Sequence, residues 1–186
     1  MSKKELIKKI NNGQAAIIPT DTIYGLVGQA LNKGTVELIY QLKNRRPDKP
    51  FIILISSINQ LKLFGVVLSR KQRDFLNQYW PGKVSVILSC KYKKFAYLHR
   101  NTNSLAFRLP NDKFLLSIIK QTGPLIAPSA NPEGDKPAED LRQAKKYFAN
   151  KVVYYGRGKL SGLSSTLVSL IKDRVEIIRQ GSVKIS

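Results

Sequence analysis

Residues 51–55 read FIILI, an unbroken run of apolar side chains. A strand with one wet face alternates apolar and polar residues, so an unbroken run points to a strand covered on both faces. Neighbouring segments supply the covering elements. Leu6, Ile7 and Ile10 recur at helical spacing, so residues 3–11 are expected to form an amphipathic helix stopped by Gly13. Helices are also expected over 34–43, over 69–79 with Ser69 as N-cap, over 111–123 entered through Asn111 and closed by Gly123, and over 141–150. Strands are expected at 14–19 (ended by Pro19), 84–89, 104–109, from residue 124, and at 151–155, 164–170 and 174–180. Strands and helices intermix along the chain, which argues for an α/β fold with a mixed parallel and antiparallel sheet in one domain, residues 1–186.

The 186 residues carry 32 Lys+Arg against 12 Asp+Glu, a formal charge of +20. That surplus either marks a polyanionic partner such as a nucleotide or RNA, or reflects a general lysine bias. No apolar stretch approaches the ~20 residues of a membrane span. The N-terminus lacks the continuous apolar region of a signal peptide. A single cysteine, Cys90, fits a reducing compartment, and a cytoplasmic location is expected.

The stretch LKNRRPDKP (42–50) places four cations, Lys43, Arg45, Arg46 and Lys49, at the end of a helix. Cations suit a helix C-terminus, but four exceed what the dipole needs, and a triphosphate would draw on both Lys point charges and Arg forks. PTDTIYGL (19–26) crowds hydroxyls into a turn after a strand, as a capped turn or as a polar ligand site. SAN (129–131) is either an Asx-type loop or a phosphate contact. Arg108, a charge inside LAFRLP, either faces solvent or holds an anion such as a carboxylate, and Arg179 in IIRQG raises the same question. The one histidine, His99, is expected at the surface, and with one Cys it excludes a His/Cys metal cluster. Tyr92, Phe95 and Tyr97 among lysines suggest either a mobile surface loop or a stacking surface for nucleic acid. Neither GxxxxGK[ST] nor GxGxxG occurs.

Taken in order, PTDTIYGL, Lys43–Asn44–Arg45, KPFIIL, FRLP, SAN, SSTLV and IIRQG resemble the YrdC-type L-threonylcarbamoyladenylate synthases, from about residue 14 to 183. With little chain after IIRQG, the likeness is to the short, single-domain form. The resemblance implies a twisted mixed sheet flanked by helices, with a basic concave face. It also implies a nucleotidyltransferase reaction. Threonine and bicarbonate give a carbamate, the carbamate attacks the α-phosphate of ATP, and pyrophosphate leaves. Mg²⁺ would accompany ATP, a downstream threonylcarbamoyl-transferase complex would use the product to modify tRNA adenosine beside the anticodon, and tRNA itself is a further partner to consider.

Carried over by position, the resemblance assigns ATP to Lys43, Arg45, Lys49, Ser104, Ser129, Asn131 and Arg179, with Lys43, Arg45, Ser129 and Asn131 closest to the chemistry. It assigns threonine to Thr22, Arg108, Ser165 and the backbone near Ala127, and no protein metal ligands. Two departures stand out: Arg46 intervenes between K-x-R and Pro47, and Leu54 stands where some members carry a histidine. The readings from other classes are a non-catalytic RNA-binding protein and a carbamoyl-transfer domain of the hydrogenase-maturation type, whose usual zinc-finger motifs this chain lacks.

Overall fold

The computed structural model describes residues 1–156 and 158–185. Among these residues nine strands form one mixed sheet. In chain order these are β1 (Ala16–Pro19), β2 (Tyr24–Gln29), β3 (Ile52–Leu54), β4 (Val84–Ser89), β5 (Ser104–Arg108), β6 (Leu125–Ile126), β7 (Val153–Tyr154), β8 (Thr166–Ser169) and β9 (Glu176–Arg179). Across the sheet they run β7-β1-β2-β6-β3-β5-β4-β8-β9. The pairs β1–β7, β3–β5 and β4–β8 are parallel, and the others antiparallel. The α/β mixed-sheet expectation is met.

The apolar run lies mid-sheet, as its pattern requires. Phe51, Ile53 and Ile55 belong to the larger core cluster, while Leu54 with Ile52 joins a second one. Helices α1 (Lys3–Asn11) and α5 (Lys113–Thr122) build the second cluster, setting Leu6, Ile7 and Ile10 and Leu115, Ile118 and Ile119 against Ala16, Ile18, Val27 and Leu125. Helix α2 (Lys33–Lys43) inserts Val36 and Ile39 into the larger cluster, α3 (Arg70–Tyr79) inserts Leu76, and α6 (Leu141–Phe148) inserts Ala144 and Phe148. Ser2 caps α1 in a reciprocal capping box with Glu5, and Ser69 caps α3 with Gln72 in the same way. No helix among the described residues is long and apolar enough to cross a membrane.

Several local expectations need correction. PTDTIYGL is only partly a turn: from Tyr24 it becomes β2, an inner strand bonded to β1 and β6. The cap of α5 is Asp112, whose carboxylate accepts from the Leu115 N–H, rather than Asn111. The strands expected at 151–155, 164–170 and 174–180 shorten to β7, β8 and β9. His99, at the end of α4 (Ala96–His99), is buried rather than exposed. The KYKKFAYLHR stretch is no open stacking face either. Phe95 is buried, the Tyr97 hydroxyl donates to the Ala30 carbonyl at 3.1 Å, and of these three aromatics only Tyr92 is widely exposed.

Candidate active site

The C-terminal turn of α2 sorts the cations by direction. Asn44 adopts the left-handed conformation (φ 47°, ψ 43°), and the Asn44 and Arg45 amides donate to the carbonyls of Gln41 and Tyr40. Lys43, just before this reversal, turns inward. The residue is 1% exposed, and its ammonium donates to the carbonyls of Ser129 (2.7 Å) and Asn131 (2.5 Å), 86 and 88 residues away. Burial, followed by Arg45, pushes its pKa down to about 8. Arg45, just after the reversal, sits with its guanidinium 5.1 Å from the Phe51 ring, and its Nε donates to the Lys49 carbonyl at 3.1 Å. Arg46 points away and pairs with Asp48 at 2.8 Å, both largely exposed. Glu133 ties this loop to the one after Ser129. Its carboxylate accepts from Lys49 Nζ and from the Arg46 N–H, both at 2.8 Å, and these contacts hold its pKa down at about 2.

The threonine-rich turn is held by its own hydroxyls. Thr20 Oγ1 donates to the Ile23 carbonyl at 2.6 Å, accepts from the Thr22 N–H at 3.2 Å, and lies 3.1 Å from Thr22 Oγ1. Between them, Asp21 approaches Arg108 Nη1 at 2.8 Å, and both side chains are only 5% exposed. The two readings of Arg108 therefore resolve: it is buried, at the end of β5, and faces an anion. Nη1 also lies 3.4 Å from Thr22 Oγ1. Burial raises the pKa of Asp21, which Arg108 opposes; burial also lowers that of Arg108. On the far side, Ser165 Oγ is 2.8 Å from Ser85 Oγ, and Arg179 Nη2 donates to the Ser165 carbonyl at 2.9 Å.

These elements enclose a cleft of about 660 Å³, within the range of small-ligand sites. Nine of the eleven sequence-chosen residues line it: Thr22, Arg45, Lys49, Ser104, Arg108, Ala127, Ser129, Ser165 and Arg179. Lys43 and Asn131 do not. They lie behind the wall, where Lys43 fastens the Ser129 loop and Asn131 Nδ2 donates to the carbonyls of Pro132 and Asp135. Arg46 also stays outside, so of the two adjacent arginines it is Arg45 that faces the cleft.

Sequence reasoning passed over Asp21, Glu133, Thr20 and Thr102. Asp21 could have been sought, because a buried arginine requires an anion and the chain has only 12 acids. Glu133 carried no signal of its own. Chemically, the lining offers four cations against one acid, Asp48, together with several hydroxyls. Such a lining suits an anion with several charges beside a smaller polar group. Among the described residues no cluster of acids, His and Cys could hold a metal unaided.

Comparison with known proteins places the chain in a family. The chain is 28% identical over 178 residues to a threonylcarbamoyl-AMP synthase of Bacillus subtilis, covering 94% of this chain and 51% of that protein. It is 30% identical to one of Hahella chejuensis, covering 95% and 97% respectively. The crystal structure of Pyrococcus abyssi Sua5 complexed with L-threonine superposes with a TM-score of 0.88 at 26% identity, covering 96% of this chain and 53% of that one. The chain thus spans about half the length of the Bacillus and Pyrococcus proteins. The profile of the Sua5/YciO/YrdC family, described as "Telomere recombination", matches residues 8–181, and the chain belongs to that family.

Proposed function

We propose that this protein is an L-threonylcarbamoyladenylate synthase, a nucleotidyltransferase working in the cytoplasm. It takes L-threonine, bicarbonate and ATP to threonylcarbamoyl-AMP and pyrophosphate, and a downstream transferase complex uses the product on tRNA adenosine. The observation that carries the reading is the convergence in one cleft of Arg45, Lys49 and Arg179 with Arg108, Thr22 and Ser165.

The chemistry asks little of the protein beyond placement and charge. The threonine amine and bicarbonate combine with loss of water to give the carbamate. A carbamate oxygen attacks the α-phosphorus, a P–O bond forms, and the bond to the β-phosphate oxygen breaks to release pyrophosphate. Arg45, Lys49 and Arg179 offset the charge gathering on pyrophosphate. Ser129 supplies a hydroxyl beside the phosphates, and Ser104 lines the nucleotide's side of the cleft. Lys43 and Asn131 hold the Ser129 loop in place from behind. Arg108 takes the threonine carboxylate, and Thr22, Ser165 and the backbone at Ala127 complete that pocket. Mg²⁺ enters as the MgATP substrate; with a single acid in the lining, the donor set suits an ion carried by phosphates and water.

Incubation with ATP, bicarbonate, Mg²⁺ and L-threonine should release pyrophosphate only when threonine is present, and without any RNA. Absence of threonine-dependent pyrophosphate, with tight tRNA binding that survives high salt, would instead support the RNA-binding reading.

A further inference from the structure

Three arginines line the cleft, and they are not treated alike. Arg45 donates only to the backbone carbonyls of Lys49 and Pro50. Arg179 donates to the Ser165 carbonyl at 2.9 Å and approaches its hydroxyl at 3.5 Å. Among the described residues, no carboxylate pairs with either of them. Arg108 alone has a counter-ion, Asp21, set in the wall and not lining the cleft. The three are electrostatic neighbours: Arg45 lowers the pKa of Arg179, and Arg179 that of Arg108.

The contact is one-armed. Asp21 Oδ1 meets Nη1 at 2.8 Å, without the alignment of a hydrogen bond, and Nε is sealed from solvent with no partner. Among the described residues no hydrogen bond reaches Nη2, which leaves that nitrogen for a ligand. A bare guanidinium attracts anions in proportion to their charge, so it would prefer a polyphosphate to an amino-acid carboxylate. A guanidinium already matched by a buried carboxylate has no net charge to offer at a distance, and it selects by short-range hydrogen bonding instead.

We propose that Asp21 is a specificity-determining residue that assigns the two ends of the cleft. By compensating Arg108, it reserves that end for a single carboxylate and leaves the polyphosphate to Arg45, Lys49 and Arg179. This rests on reading the cleft as a site for ATP and threonine. Asp21 acts through Arg108 and touches no substrate.

The test is competition at equilibrium, read by calorimetry on the full chain, with L-threonine and pyrophosphate as probes. In the wild-type protein both should bind, and pyrophosphate should not displace threonine. In Asp21→Asn, which keeps shape and loses charge, pyrophosphate should compete with threonine, its affinity for the Arg108 end rising about tenfold or more. Asp21→Glu retains the charge and should behave as wild type. In the double variant Asp21→Asn/Arg108→Gln the pyrophosphate affinity gained by Asp21→Asn should fall back to the wild-type value, whereas a gain caused by general loosening of the fold would remain.

A wild type in which pyrophosphate displaces threonine overturns the proposal, even if Asp21→Asn does not fold. So does an Asp21→Asn protein that binds both ligands independently, or an Asp21→Glu protein that gains competition. A wild type that binds neither threonine nor ATP refutes the underlying reading of the site, an outcome distinct from all of these.

Discussion

Replacing Lys43 by Met tests how the cleft wall is built. The substitution keeps the length of the side chain and removes its charge. The Asn131 carbonyl is then left buried without its donor, at about 1–3 kcal/mol, while the half-buried Ser129 carbonyl keeps the Asn131 N–H at 3.0 Å. Part of this is offset, because the ammonium is itself uncomfortable. Its pKa, lowered from 10.5 to about 8, means that charging it costs roughly 3 kcal/mol more in the fold than in the unfolded chain. The two effects nearly cancel near pH 7, leaving a net change within about 2 kcal/mol of zero.

The pH dependence is the sharper signature. Between the folded and unfolded values, the unfolded chain still holds a proton that the folded chain has shed. Wild-type stability therefore rises with pH across this window, by up to roughly 3 kcal/mol, while Lys43→Met lacks the rise. Urea denaturation of both proteins from about pH 7 to about pH 10 measures it. The gap between them should widen as pH increases. Parallel curves over that range would refute the account of Lys43 as a desolvated cation.

Three further outcomes follow from the placement of charges. Arg45→Ala should slow synthesis by about 10²–10³-fold, the scale of one lost preorganised contact, whereas Arg46→Ala, which removes an exposed side chain outside the cleft, should change it little; steady-state pyrophosphate release compares them. Arg108→Leu should raise the KM for threonine far more than that for ATP, and equal rises would move Arg108 away from the amino acid. Reversing charge at the exposed Lys145 and Lys146 of α6 should weaken RNA binding in a salt titration and leave synthesis nearly intact.

What could be read from the chain depended on whether the deciding contact was local. FIILI declared its own burial, because each residue's neighbours sit one and two positions away. Ser69 capped its helix as expected, through a partner three residues on. β2 was hidden because YGLVGQ carries two glycines, which usually weaken a strand. Gly28 is there for closeness: a Cβ would come within 2.3 Å of Thr35 Cγ2 in the overlying α2. The buried state of His99 likewise depends on packing that a basic flanking sequence does not announce. Arg108 was recognised as needing an anion, yet its partner lies 87 positions back, a separation that only the fold closes. The inward turn of Lys43 was illegible for the same reason, since its acceptors are carbonyls of a distant loop. Side-chain type alone shows the cations but not which way each one faces.

The left-handed residue at the end of α2 gives this loop an unusual pattern of mutational tolerance. Asn reaches that backbone conformation at little penalty, and a β-branched residue does not. Asn44→Val would leave every charge in the sequence untouched, yet press about 1–2 kcal/mol of strain onto the torsion that separates Lys43 from Arg45. The expected result is a protein with its full complement of cations and the wrong ones facing the cleft. In natural variation across this segment, the position between the two cations should therefore vary in charge yet avoid β-branched residues, a restriction that does not apply to the charged Arg46 beside it. Insertions or deletions within 44–47 should be as damaging as loss of a ligand-binding side chain.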